Sequence, residues 1–417
     1  MTDTPQQAKL LPNRQQEYHL ANAERESRRR GLFDVPIVDC DSHCYETSSL
    51  PEIVRYMTNP NIRRSFQVSS AEFIQATVIP QNLGERTVGG RLKIGGGTDA
   101  ETGVHRLEAS PGDLHPVAAT TLRSMAAMGI DYTILFPTPM LNLGIHPDQD
   151  VQNDLAWAFN RWLVEDVLPS DDRLLTMPYL PIGDPDQCVR FIEAFGERPG
   201  VVGFMVTCLQ YQPLHRNSYM KVFAALNERS LPVAFHSAPN WVERPFSVLG
   251  RFLGAHALGF PFYAMVQLTN IVLSGLPERF PNIKWLFMEA GQAWVPFTIA
   301  RLDNEYKQRS AEAPLLRRLP GEYIRDMHFT TQPFETHEDP SHTRAMLDMM
   351  DAGKSLLYAS DYPHQDFDTP AVIDGQNCLT DAEKQAILSG NALRLFNLPE
   401  PDLTRRRDGV AGAQPKP

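Results

Sequence analysis

The strongest constraint on how this chain can fold is a recurrence. Short runs of apolar and β-branched residues return along it, separated by stretches of helical periodicity. The runs are "VPIVD" (35–39), "YTILFP" (132–137), "LLTMPYL" (174–180), "VVGFMV" (201–206), "PVAFHS" (232–237), "KWLFME" (284–289), "HFTTQ" (328–332) and "LLYASD" (356–361). Each is nearly continuous in hydrophobicity, as a strand covered on both faces must be. Between them, "DVQNDLAWAFNRWLVEDVL" sets Leu155, Phe159, Trp162 and Leu163 along one helical stripe. "YAMVQLTNIVLSGL" repeats apolar side chains at Met265, Leu268, Val272 and Leu276. "TDAEKQAIL" opens on Thr380 with Glu383 three residues later, the sequence form of a capping box. Strands alternating with helices imply parallel pairing through crossover helices. Eight such units predict an α/β fold, a closed (β/α)8 TIM barrel over residues 34–398, with a doubly wound open sheet as the competitor.

The flanks read differently. Residues 1–33 are polar and charged and predict a mobile or surface-wrapping arm, and residues 399–417 have the composition of a disordered tail. An insertion, residues 60–116, separates the first two runs. Within it "TVGGRLKIGGGTD" predicts a hairpin with a glycine-rich turn. It lacks the GK[ST] ending of a phosphate-binding loop, so a lid over the barrel mouth or an oligomer contact is the better expectation. The formal net charge of −11 argues against nucleic acid as a partner, and the arginine runs 28–30 and 405–407 fall in the flanks as solvated charge. The five cysteines, Cys40, Cys44, Cys188, Cys208 and Cys378, are scattered with no CxxC pair, which predicts free thiols in a reducing cytoplasmic setting. The N-terminal stretch has no apolar signal-peptide core, and no apolar run is long enough to span a bilayer.

Reactive side chains fall at the C-terminal ends of particular runs. The first leads into Asp39, Asp41 and His43, the fifth into His236, the sixth into Glu289 and the eighth into Asp361. In a (β/α)8 barrel all strand ends open on one face, so groups hundreds of residues apart converge there. Asp41 and His43, two apart on an extended chain, point to the same side. A set of Asp41, His43, His236 and Asp361 suits one divalent ion, Zn²⁺, Mn²⁺ or Fe²⁺, with positions open for water or substrate. Taken singly, a carboxylate or imidazole at a strand end is an ordinary loop hydrogen-bonder, and Asp39 is read that way; the combination is what points to metal. Glu289 could bind a second metal, act as acid or base, or orient a ligand. His364 and His256 are candidates for the substrate side of the mouth, as are the aromatics Phe136, Trp241, Trp294 and Tyr362, although any large barrel buries aromatics. Cys40 and Cys44 flank the first motif, but nothing places a base beside them.

At these residues the chain resembles the amidohydrolase superfamily, most closely the branch of aminocarboxymuconate-semialdehyde and resorcylate-type decarboxylases. "IVDCDSH", "AFHSAPN", "GLPERFPNIKWLFMEAGQAWVPFTIARLDNEY", "LLYASDYPH" and "ILSGNALRLFNL" carry the resemblance. There are two departures. The usual His-x-His of the first motif is Asp41-Ser42-His43, and the family's histidine after the sixth strand is Glu289. The resemblance implies the metal shell of Asp41, His43, His236 and Asp361. It implies either hydrolysis, with Asp361 taking a proton from water, or non-oxidative decarboxylation, with Asp361 delivering a proton to the carbon that loses CO₂. The substrate expected is a small organic acid, with an aromatic one as an option that the nearby aromatic side chains suggest. A further alternative is an oxygenase component with a second metal, or the silent partner subunit of one. A homo-oligomer, or a hetero-oligomer with a related chain, is expected.

Overall fold

Each of the eight apolar runs supplies a strand: β1 Val38–Cys44, β2 Tyr132–Pro137, β3 Leu174–Thr176, β4 Phe204–Thr207, β5 Val233–His236, β6 Trp285–Met288, β7 His328–Thr330 and β8 Leu356–Leu357. The structure is a computed structural model, and it describes residues 12–68, 87–88, 91–92, 114–238, 243–364 and 366–403. β1, β2 and β3 pair in parallel in that order, as do β4 through β8. Two seams join these sheets. At one, the parallel bridges Thr176–Val201 and Tyr179–Met205 connect β3 and its continuation to β4. At the other, β8 and its continuation meet β1. The Cys40 N–H donates to the Tyr358 carbonyl at 2.9 Å, the Asp361 N–H to the Asp41 carbonyl at 2.7 Å, and the His43 N–H to the Tyr362 carbonyl at 2.7 Å. The ring closes, and the fold is the expected (β/α)8 barrel.

Strand limits differ from the sequence expectation for physical reasons. β1 starts later and runs through the Asp-Cys-Asp-Ser-His motif, buried along its whole length. Its register with β2 shifts between Asp39 and Ser42, a bulge that re-aims the side chains around Asp41. β3 stops short of "MPYL", because Pro178 has no N–H to give a ladder; pairing resumes only as the Tyr179 bridge. β8 is brief as a ladder: beyond Leu357 the chain meets β1 only through separate hydrogen bonds, and it reaches φ 59° at Asp361.

The helix layer follows the alternation, with Gln149–Trp162, Pro185–Phe195, Met220–Glu228, Phe252–Leu273, Trp294–Arg309 and Pro340–Met349 after β2 to β7. The predicted stripe Leu155, Phe159, Trp162 and Leu163 is buried. The capping box forms as expected: Thr380 Oγ accepts from the Glu383 N–H at 3.3 Å, and Glu383 Oε2 accepts from the Thr380 N–H at 2.8 Å. An aromatic ladder crosses β5, β6 and β7, with Phe235 stacked on Phe287 at 5.2 Å and Phe287 on Phe329 at 6.0 Å. These residues pair in register, and Trp294 from the following helix packs edge-on against Phe287 and Phe329.

Within the N-terminal flank, Pro12–Arg29 is a helix that packs on the helix Pro116–Met128, burying Leu20 and Ala23. Arg28 and Arg29 pair with Glu24 and Glu26 of the same helix, and Arg30 reaches Asp374 at 2.8 Å. Within the insertion, Pro60–Val68 is helical, and Thr87–Val88 pairs antiparallel with Arg91–Leu92, the hairpin read from the sequence. The rest of the insertion up to residue 113, residues 1–11, Trp241 and the tail from residue 404, with its arginine run, lie outside the described residues. Among the described residues no helix is long and apolar enough to cross a membrane.

Candidate metal centre

The closing seam between β8 and β1 builds the site. Asp39, buried, accepts from the Ser360 N–H at 2.8 Å and the Asp41 N–H at 3.2 Å through one oxygen. Its other oxygen accepts from Ser360 Oγ at 2.6 Å and Thr133 Oγ1 at 3.3 Å. Asp39 is thus a structural clamp, and burial raises its carboxyl to about 7 even against the Ser360 hydrogen bonds. The clamp sets Asp41 and Asp361 side by side at the C-terminal mouth.

His43 and His236 complete the cluster. His43 Nδ1 lies 2.9 Å from the Pro137 carbonyl, and His236 Nδ1 lies 2.9 Å from the Ser237 carbonyl. A carbonyl can only accept, so each Nδ1 donates and each Nε2 presents a lone pair. These lone pairs face carboxylate oxygens. His43 Nε2 is 3.3 Å from Asp41 Oδ1 and 3.1 Å from Asp361 Oδ1, and His236 Nε2 is 3.2 Å from Asp41 Oδ1. Acceptors at contact distance need a shared cation. Asp41 Oδ2 and His43 Nε2 are also buried with no hydrogen-bond partner, as atoms reserved for an ion would be. Without an ion a proton substitutes. Burial opposes charging His43, yet the Asp361 and Asp41 carboxylates outweigh it and push its pKa well up. Burial would likewise raise Asp41, but His236 and His43 hold it well below the usual carboxylate range. Asp361 is also lowered, His364 and His43 overcoming burial.

The donors fall into two groups, Asp41–His43–His236 and His43–Asp361–His364, each with ligand atoms within 4.8 Å of one another. They share His43, so they describe one centre and not two. His364 Nδ1 is 2.7 Å from Asp361 Oδ1, its Nε2 is 3.3 Å from Thr138 Oγ1, and its ring stacks on His43 at 4.3 Å. Asp361 has φ 59° and Glu289 φ 51°, left-handed conformations costly for side chains of this kind and concentrated at functional sites. Glu289 lies 3.4 Å from His236 Nδ1, on the ring edge opposite Asp41. Burial first, then repulsion from Asp361, raises its pKa well above the ordinary value.

Beside Glu289 opens a cavity of about 230 Å³, whose walls include His256, Phe260, Gln332, Glu335 and Asp366. Among the sequence candidates, His256 and Glu289 line it. Phe136 lies against the cluster, 5.3 Å from the His236 ring. Trp294 is buried on the aromatic ladder, its Nε1 donating to the Gly291 carbonyl at 3.0 Å, and it is not among the residues lining this cavity. The reason is parity, since Phe287 and Phe329 point toward the helix layer and Trp294 packs with them. Cys40 and Cys44 are buried and their thiols pushed far up by burial, which excludes a thiolate nucleophile. Sequence reading missed Gln332, Glu335 and Asp366. Their only signal was position just past the ends of β7 and β8.

Comparisons with known proteins bear on the whole. The amidohydrolase family model matches residues 112–398. The gamma-resorcylate decarboxylase of Rhizobium radiobacter is 24% identical over 297 residues, 67% of this chain and 86% of the relative. The 2-amino-3-carboxymuconate-6-semialdehyde decarboxylase of Dictyostelium discoideum is 20% identical over 281 residues, 64% of this chain and 73% of the relative. In structure, the chain resembles the 5-carboxyvanillate decarboxylase of Novosphingobium aromaticivorans, complexed with manganese and 4-hydroxy-3-methoxy-5-nitrobenzoic acid. The TM-score is 0.62 at 18% identity, covering 88% of this chain and 97% of that one.

Proposed function

The chain belongs to the amidohydrolase family, and from that membership we propose that it is a metal-dependent carboxy-lyase, a non-oxidative decarboxylase of a small aromatic acid. One observation carries this reading. Two imidazoles with Nδ1 engaged on carbonyls turn their Nε2 lone pairs onto two carboxylates, at the barrel mouth and next to a cavity. In this reading Asp41, His43, His236 and Asp361 hold one divalent ion of the Zn²⁺, Mn²⁺ or Fe²⁺ class. Bound there, it would supply Lewis acidity toward a substrate carboxylate and a neighbouring oxygen. Asp361 passes to the carbon that loses CO₂ the proton it shares with His364 Nδ1, 2.7 Å away: the carbon–carboxylate bond breaks, its electron pair takes up that proton as a C–H bond, and water restores the proton to the Asp361–His364 pair. His364 holds the Asp361 carboxyl in orientation, and Glu289 links His236 to the substrate cavity.

The three similar proteins described above are named decarboxylases, which supports carbon–carbon cleavage over hydrolysis. An oxygenase component, or its partner subunit, lacks such support, since the donor groups share His43 and Glu289 addresses the far edge of His236. Five unpaired cysteines support a reducing, cytoplasmic setting. Leu253, Leu258 and Val266, exposed along the helix Phe252–Leu273, support association with a second chain. The test is CO₂ release from a panel of aromatic carboxylates by the manganese-reconstituted protein. The reading requires release from at least one of them, lost on chelation; a panel inert with and without metal overturns it.

A further inference from the structure

The end of β2 addresses both imidazoles of the stacked pair. Pro137, the last residue of the strand, accepts from His43 Nδ1 through its carbonyl at 2.9 Å. One residue on, Thr138 Oγ1 lies 3.3 Å from His364 Nε2. The two rings stack at 4.3 Å, 30° from parallel, so the setting of one bears on the other. Thr138 is 2% exposed, which keeps bulk water from competing for its hydroxyl.

Thr138 is itself held in place. Glu46, buried just past β1, accepts the Thr138 N–H at 3.0 Å through one carboxylate oxygen and the Met140 N–H at 2.5 Å through the other. Both anchors use the main chain, so a change of the Thr138 side chain leaves them standing.

His364 is the residue that this arrangement constrains. Its Nδ1 is 2.7 Å from Asp361 Oδ1, and the Tyr45 ring stands edge-on to it at 6.1 Å. Each ring nitrogen therefore meets an oxygen. Turning the ring over about its Cβ–Cγ bond would bring carbon to both places and lose both contacts. A hydroxyl donates to a bare nitrogen and accepts from a protonated one, so the hold from Thr138 does not depend on where the ring carries its proton.

We propose that Thr138 is a positioning residue: its hydroxyl fixes the plane of the His364 ring and thereby keeps Nδ1 on the Asp361 carboxylate. The inference rests on the carboxy-lyase reading above and adds to it the residue that aligns the proton-carrying pair. Thr138 acts through His364, as the second partner of an imidazole sets which way its first nitrogen points.

The test compares Thr138→Val, which keeps the shape and removes the hydroxyl, with Thr138→Ser, which keeps the hydroxyl and removes a methyl group. With manganese and an acid that the wild type decarboxylates, Thr138→Val lowers kcat about tenfold while KM and metal content hold, and Thr138→Ser stays within about threefold of wild type. A second readout needs no substrate. In proton NMR of the full-length protein loaded with Zn²⁺, an Nδ1–H held on a buried carboxylate gives a downfield resonance, identified by its loss in His364→Gln. That resonance persists in Thr138→Ser and broadens into exchange with water in Thr138→Val. A Thr138→Val kcat near wild type, an equal loss in Thr138→Ser, a raised KM with kcat intact, or a resonance that Thr138→Val leaves unchanged overturns this proposal alone. A wild type that releases CO₂ from no acid defeats the carboxy-lyase reading, and the resonance then decides the hold on His364 by itself.

Discussion

Asp361 carries more constraints than any other residue of the site. It sits in a left-handed conformation at the end of β8, gives its N–H to the Asp41 carbonyl and shares one carboxylate oxygen with His43 and His364. Asp361→Asn keeps the shape and removes the proton carrier. We expect CO₂ release to fall roughly 10²–10⁴-fold with an unchanged circular dichroism spectrum; activity near wild type would remove Asp361 from the mechanism. His364→Gln loosens the Asp361 carboxyl without emptying the centre. It should lower kcat by about 10–100-fold while metal content, measured alongside, holds. Loss of the metal itself would make His364 a ligand and not an orienting group. Asp41, His43, His236 and Asp361 were legible in the sequence because each closes or follows an apolar run, and parity puts residues 41 and 43 on one side. Gln332 was not legible. Its place beside the cavity is set by a hydrogen bond to a carbonyl 34 positions away. The packing of Trp294 was not legible either, because proximity to a motif does not say which side of the barrel wall a ring takes.

At the level of elements, the seam between β8 and β1 joins backbone hydrogen bonds to the contacts of one buried side chain, Asp39. Asp39→Ala would leave the Ser360 N–H and Oγ, the Asp41 N–H and Thr133 Oγ1 without their acceptor. The expected loss is about 2–3 kcal/mol in urea unfolding, against about 1 kcal/mol for Ser360→Ala. Equal, small losses would show that the backbone pairs alone close the ring. β7 begins with His328, whose pKa is lowered to about 4, chiefly by burial. The unfolded chain takes up this proton near 6.5 and the folded chain only near 4. His328 therefore favours folding above pH 6.5, and that contribution is lost as pH falls toward 4. Between these values stability should drop by up to about 1.4 kcal/mol per pH unit from this group. His328→Gln should flatten that slope in urea titrations; an unaltered slope would assign the acid sensitivity elsewhere. Strand existence was legible from hydrophobic continuity. Strand limits were not, since the bulge in β1 and the interruption at Pro178 arise from pairing between distant segments.

Across the whole molecule, ring closure converts scattered strand ends into one site. The alternation of runs and helices was enough to expect that closure, and it is why residues 41 and 361, far apart in sequence, meet. The docking of the helix Pro12–Arg29 was not visible, because its few apolar positions, Leu20 and Ala23, gain meaning only against the helix Pro116–Met128. The central claim is that the closed barrel holds one divalent ion between two imidazoles and two carboxylates. Titration of the metal-free full-length protein with Mn²⁺, followed by electron paramagnetic resonance, tests this most directly. The account predicts saturation at one ion per chain, abolished by His236→Ala in a protein that still melts cooperatively. Saturation at two ions per chain, or a single site that survives His236→Ala, would contradict it.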